Sequence, residues 1–333
     1  MNNVKLLIIG AGSIGKRHIK NAITLGISVN NIVVMDPRED RIEEVKKIGV
    51  IKTFTDFDLS LKEQFDAAII CSPTSLHIKQ AIELARLKKH ILIEKPLGLN
   101  LENINELVKI VKDNNLTVML AYIFRFMPSI EAVKKKLDKA VIGKVLYFRG
   151  EFSEYLPDWH KYEDYRTFYM AEKKKGGGSI LDQCHIMDLA HYLIGDFHSV
   201  QAANLKVSSL EISADDISEM IIRHENKVIS SIHTDIFGRS HKKNLEIKGE
   251  EGNIHWDFYK NEVQIYDSKN EKLEILNEFE KDVNQSYIDE LKHFITCFKE
   301  DKKNKASLEE GIHTMKLILA AEKSELSKKE ELI

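Results

Sequence analysis

At 333 residues, with 43% hydrophobic and 30% charged side chains, the chain has the balance of a soluble globular protein and the length for two cores. A formal net charge of -3 gives no long-range attraction to nucleic acid or an anionic membrane, and the lysine runs at 134–136 and 173–175 read as solvated faces. No stretch approaches the roughly 18 apolar residues of a membrane helix, and the first apolar run is too short for a signal peptide.

Residues 1–123 alternate short apolar runs with helical patterns. Strands are predicted at 4–9, 31–36, 50–54, 67–71, 91–94 and 117–122, with helices at 16–25, 40–47, 76–87 and 101–114. The strands are rich in Val, Ile and Leu with little alternation, as in a parallel sheet covered on both faces. The expectation is an α/β N-terminal Rossmann domain over 1–123, followed by an α+β C-terminal domain over 124–333 with a large, mostly antiparallel open sheet. That second part reads as a helix at 130–137, a strand at 145–155, a polar and aromatic loop at 156–175 and a glycine triplet at 176–178. A helix at 180–193, repeated strands from 200 to 276, and closing helices at 285–298 and 308–324 complete it.

Gly10-Ala11-Gly12-Ser13-Ile14-Gly15 matches G-x-G-x-x-G between a predicted strand and a predicted helix. Gly10 allows the tight turn, Gly12 admits a pyrophosphate to the backbone, and Gly15 lets helix and strand pack closely. Ser13 and Ile14 open the helix, whose amides and dipole favour the phosphates. Asp36 ends the second strand, where a carboxylate accepts from an adenine ribose 2′-hydroxyl and repels a 2′-phosphate. NAD is therefore expected over NADP, with Arg38, two residues on, as the group that would hold such a phosphate.

Glu94-Lys95-Pro96 closes another predicted strand, at the sheet edge where open α/β sheets bind ligands. The proline bars regular continuation and allows a cis bond. At this point the chain resembles the Gfo/Idh/MocA oxidoreductases, the family of glucose–fructose oxidoreductase and inositol dehydrogenase. The shared features are the glycine loop, Ser72-Pro73-Thr74 with His77, Glu94-Lys95-Pro96 and Arg125-Phe126-Met127-Pro128. Ile142-Gly143-Lys144-Val145, Gly177-Gly178 leading to Asp182 and His185, and Gly249 to Gly252 before Trp256 continue the likeness. The resemblance implies Ser72, Pro73, His77, Glu94 and Lys95 along the cofactor, and Lys95 and Arg125 toward a substrate. It makes His185 the acid/base. One departure is plain: the commoner Asp-x-x-x-His is here Asp182-Gln183-Cys184-His185, while His185 to Asp188 keeps the family spacing.

The chemistry suits oxidation of a secondary alcohol. A histidine accepts the hydroxyl proton near neutral pH, and an ammonium favours the developing alkoxide. Asp182 and His185 share a face of the predicted helix, so Asp182 either binds a substrate hydroxyl or orients the imidazole. His77 reads equally as a neighbour of the nicotinamide ribose and as a helix-start histidine packing on its loop. Tyr155, Trp159 and His160, with Tyr165, Arg166 and Tyr169, suit either a sugar ring or a subunit contact. Cys71, Cys184 and Cys297 read as reduced thiols of a cytoplasmic protein, and no His, Cys or Asp spacing suits a metal.

The expected activity is hydride transfer between NAD and a sugar, cyclitol or nucleotide-sugar. The other readings are a non-catalytic NAD-binding sensor and a redox-neutral enzyme with tightly held NAD. The C-terminal sheet is expected to join a homodimer or homotetramer, with no nucleic-acid or membrane partner.

Overall fold

The computed structural model describes residues 3–159 and 164–333. Six strands, β1 (Leu6–Ile9), β2 (Ile32–Met35), β3 (Lys52–Phe54), β4 (Ala67–Ile70), β5 (His90–Ile93) and β6 (Val118–Leu120), pair in parallel. Their order is β3-β2-β1-β4-β5-β6. Every residue of β1, β2, β4 and β6 is buried, which is why these runs are apolar without alternation. Helices α1 (Ser13–Thr24), α2 (Glu39–Lys47), α3 (Phe57–Ser60), α4 (His77–Arg86) and α5 (Ile104–Asp113) connect them. The strand order reverses between β1 and β4, so the loops after these two strands flank the switch point where such sheets take ligands.

The chain divides into two compact units, Met1–Ile123 with Asn284–Gly311, and Phe124–Val283 with Ile312–Ile333. The first unit thus includes most of α9 (Val283–Glu300) and the segment after it. That segment covers the open edge of β6. The Leu120 amide donates to the Ala306 carbonyl at 2.8 Å, and Asn304 Nδ2 donates to the Val118 carbonyl at 2.8 Å.

The second unit carries α6 (Pro128–Asp138), α7 (Ser179–Asp182), α8 (His185–Ile194) and most of α10 (Leu308–Ser327). Its strands are β7 (Val145–Tyr155), β8 (Phe197–Leu205), β9 (Ile217–His224), β10 (Ile229–Asp235) and β11 (Phe237–Gly249). Then follow β12 (Gly252–Asp257), β13 (Glu262–Asp267), β14 (Lys272–Leu276) and β15 (Glu331–Leu332). They form a nine-stranded sheet in the order β14-β13-β12-β11-β7-β10-β9-β8-β15, antiparallel throughout except for β7 against β10. Alternation is clear in β9, where Met220 and Ile222 are buried while Glu219, Ile221 and Arg223 are exposed. Helix α8 lies so close to β7 that a Cβ on Gly150 would stand 2.5 Å from Ile186 Cγ1. Trp256, fully buried, donates from Nε1 to Ser129 Oγ on α6 at 2.9 Å.

Three local expectations change. The single helix expected at 180–193 is two, broken at Gln183, whose side chain is drawn away to donate to the Asp235 carbonyl at 2.8 Å. Asp182 and His185 therefore end one helix and begin the next, and do not share a helical face. Among its described residues the loop expected at 156–175 contains four 3-10 turns, the first and third contributing Leu156 and Met170 to a satellite core with Phe168, Leu210 and Ile236. The strand β15 has two residues, too few for any period to reveal. Among the described residues no helix is long and apolar enough to cross a membrane.

Candidate active site

The glycine loop is built for an anion. Gly10 has φ +99°, and a Cβ there would lie 2.5 Å from the Cys71 carbonyl oxygen. A Cβ on Gly15 would lie 1.9 Å from the Gly10 oxygen, so the third glycine is fixed by the turn packing on itself. Gly12 differs: the nearest atom to its Cβ would be Arg41 Nη1, at 3.8 Å. It is also the N-cap of α1, has no capping side chain, and is followed by no acid in the first turn. The helix thus begins with unsatisfied amides over open space, which fits a pyrophosphate.

Asp36 is buried and ties this loop to the end of β2. Its Oδ2 accepts from the Ala11 amide at 2.7 Å and from Arg41 Nη1 at 3.3 Å, and its Oδ1 accepts from the Arg38 amide at 2.9 Å. A carboxylate offers about four acceptor positions, so three bonds leave room for a ribose hydroxyl. Arg38 turns its guanidinium to Asp40, leaving Arg41 as the cation beside the acid. Sequence reasoning missed Arg41, which lies a helical turn beyond the position watched.

Beyond β4, Ser72 donates to Gln80 Oε1 at 2.6 Å, and Pro73 is exposed. His77 is buried, with Nδ1 2.8 Å from the Pro96 carbonyl and Nε2 2.8 Å from the Ser72 carbonyl. Burial holds its pKa below the usual value, so a neutral ring donates to one carbonyl and braces the two loops. Glu94, at the end of β5, contacts His18 Nε2 through Oε1 at 2.8 Å, and the half-buried Lys95 joins Pro96 by a cis peptide. Close by, Glu290 of α9 is fully buried, neither carboxyl oxygen having a hydrogen-bond partner. Burial and then the Glu94 charge raise its pKa well above the usual carboxylate value. Burial and then the Glu94 charge likewise push up the pKa of the Cys71 thiol, which disfavours the thiolate.

In the second unit, Gly178 has φ +111°, and a Cβ there would meet Asp215 Oδ1 at 2.3 Å. Asp215 Oδ2 accepts from Ser179 Oγ at 2.9 Å and from the Ile180 amide at 3.0 Å, which anchors α7. Asp182 accepts from the Tyr169 hydroxyl at 2.6 Å. His185 begins α8 and stacks on Phe124, with ring centroids 4.7 Å apart and planes at 25°. Asp182 and His185 are both buried.

Arg125 is the basic residue expected toward a substrate. It has no exposed surface and is held bidentately by Asp188, Nε to Oδ2 at 2.9 Å and Nη2 to Oδ1 at 2.7 Å. Its guanidinium also lies 4.6 Å from the Tyr192 ring centroid. The pair ties Arg125 to α8. Tyr155 lies under the Arg239 guanidinium at 3.6 Å, and Trp159 and Tyr165 pack on the satellite core. His160 lies outside the described residues. All three cysteines are free. Among the described residues the fold also assembles two groups of metal-ligand type that spacing could not reveal: His18 with Cys71 and Glu94, and His191 with Asp196 and His313.

With this geometry in view, the sequence matches two family models in succession. Residues 4–122 match the NAD-binding Rossmann fold of the GFO/IDH/MocA oxidoreductase family, and residues 134–330 match its C-terminal alpha/beta domain. The chain belongs to that family and is an oxidoreductase with an NAD-binding Rossmann fold. It is 28% identical to scyllo-inositol 2-dehydrogenase (NAD(+)) of Bacillus subtilis (strain 168) over 313 residues, covering 90% of this chain and 88% of that one. It is also 28% identical to myo-inositol 2-dehydrogenase of Thermotoga maritima over 333 residues, with 96% of each covered. The solved levoglucosan dehydrogenase in complex with NADH shares the fold, with TM-score 0.88 and 21% identity over 99% of each chain.

Proposed function

We propose that this chain is an NAD(H)-dependent dehydrogenase of a secondary alcohol on a sugar, cyclitol or nucleotide-sugar. Bound NAD supplies the hydride acceptor. The glycine loop with Ser13 and Ile14 holds the pyrophosphate, and Asp36 takes the adenine ribose, with Ser72, Pro73, Glu94 and Lys95 lining the nicotinamide end. His185 accepts the hydroxyl proton, and the Lys95 ammonium favours the alkoxide and orients the alcohol. Asp182, held by Tyr169, accepts from a second substrate hydroxyl, with Tyr155 and Trp159 on the sugar side. The observation that carries this reading is the open, uncapped start of α1 at Gly12, in a chain that also keeps His185 at the head of α8. The inositol and levoglucosan dehydrogenases among its relatives support the substrate class.

The exposed face of the large sheet carries Ile221, Ile229, Tyr266, Leu273 and Ile275, which supports a homodimer or homotetramer through that sheet. The free cysteines fit the cytoplasm. The test is NADH absorbance across a panel of sugars, inositols and nucleotide-sugars, with light scattering for assembly. Formation of NADH with one polyol class is expected. Failure with every compound by a protein that binds NAD would overturn the dehydrogenase reading.

A further inference from the structure

His191 lies in the last turn of α8, Asp196 just beyond the Gly195 that ends it, and His313 on α10. His191 Nε2 is 2.9 Å from Asp196 Oδ1, and His313 Nδ1 is 3.8 Å from the same oxygen. The three donor atoms all fall within 4.8 Å of one another. The two imidazoles stack, with centroids 4.9 Å apart and planes 18° from parallel. Metal bonds of about 2.0–2.2 Å place neighbouring ligand atoms roughly 3–3.5 Å apart, so small side-chain rotations close this triangle on one ion.

The surroundings define the ligand set. His224 lies close, but its Nδ1 contacts the Gly195 carbonyl at 2.9 Å and its Nε2 contacts Ser230 Oγ at 2.6 Å. Phe197 packs against both His191 and His224, with centroids 5.5 Å and 5.2 Å away, and forms an apolar floor. Asp196 and His313 face solvent, their side chains 64% and 40% exposed, so an ion can enter and keep water on its remaining positions.

We propose that His191, Asp196 and His313 form a site for one divalent transition-metal ion of the zinc class, joining the end of α8 to α10. Two imidazoles and one carboxylate favour Zn²⁺, Co²⁺ or Ni²⁺ over Mg²⁺ and Ca²⁺, which prefer all-oxygen shells. Because His185 begins the helix that His191 ends, the ion would steady that helix while taking no part in hydride transfer.

The test is zinc titration of the chelator-stripped full chain against a chromophoric competitor, with thermal melting alongside. One ion per chain is expected, with a raised melting temperature and no binding of Mg²⁺. Loss of a group that only supports a metal ligand typically weakens such sites by about 10–100-fold, so removing a ligand itself, in His313→Ala or Asp196→Asn, should lower zinc affinity at least tenfold. Cys71→Ala should leave it unchanged. The proposal is overturned if wild-type protein binds no zinc at millimolar concentration, or if both variants bind as wild type does. Zinc binding that survives His313→Ala but is lost in Cys71→Ala would also overturn it, and would assign the ion to the His18, Cys71 and Glu94 group.

Discussion

Arg125→Met separates a packing role from a substrate role. Neither Arg125 nor Asp188 has exposed surface, and two bonds of 2.9 and 2.7 Å hold them together. Removing the guanidinium strands a buried carboxylate, which costs about 3–5 kcal/mol. At roughly 2–4 °C per kcal/mol for a unit of this size, melting should fall by about 6–20 °C. Replacing both partners, Arg125→Met with Asp188→Leu, removes the stranded charge and should restore most of that loss. Melting followed by circular dichroism reads the stability, and steady-state kinetics on the same samples reads KM. If Arg125→Met melts within about 2 °C of wild type while KM rises, Arg125 is a substrate residue and the packing argument fails. A double variant no more stable than the single would also refute it.

The glycines should divide by geometry. Gly12→Val is expected to melt like wild type yet lose NAD binding in calorimetry, whereas Gly15→Ala should lose about 1–3 kcal/mol of stability because the Gly10 carbonyl must move. Normal NAD affinity in folded Gly12→Val would end the phosphate-cradle reading. Glu290 keeps its proton in the folded chain well above the unfolded pKa of about 4.3, so wild-type stability should fall as pH rises past that value, by up to about 1.4 kcal/mol per unit. Urea melts of Glu290→Gln should be flatter with pH, and an advantage over wild type that shrinks from pH 5 to 8 would contradict the protonated acid. His185→Ala should lower turnover by about 10²–10⁴ with NAD affinity intact, while Lys95→Ala harms turnover and substrate binding together. Wild-type turnover in His185→Ala would remove it as the base. Asp36→Ala should narrow the preference for NAD over NADP in paired titrations, and an unchanged ratio would shift the discrimination to Arg41.

What could be read in advance was what the chain writes contiguously. The glycine loop, the buried strands and Asp36 each lie within a short run whose composition carries the constraint, and all six parallel strands were found there. Contacts between distant positions left no such trace. Arg125 and Asp188 are 63 residues apart, and the motif around Arg125 looked the same whether its side chain faced a ligand or the interior. Asp215 anchors the glycine pair from 35 residues beyond Ile180, with no local pattern to mark it. At the break the Gln183 side chain reaches a carbonyl 52 residues away, and a helical period alone runs straight through such a position. The same limit hid the two-histidine group, whose third member comes from the last helix.

The seam along β6 has a consequence for biosynthesis. Leu120 and Val118 hydrogen-bond to a segment at 304–306, and His90 stacks on Phe298 at 4.7 Å. A ribosome therefore releases every strand of the nucleotide-binding sheet long before the residues that seal its flank. Until then the nascent chain exposes an unpaired edge, the feature most prone to pair with a neighbouring chain. A fragment ending at residue 123 would keep that edge bare for good, so the half that grips the dinucleotide should not be separable as a working module.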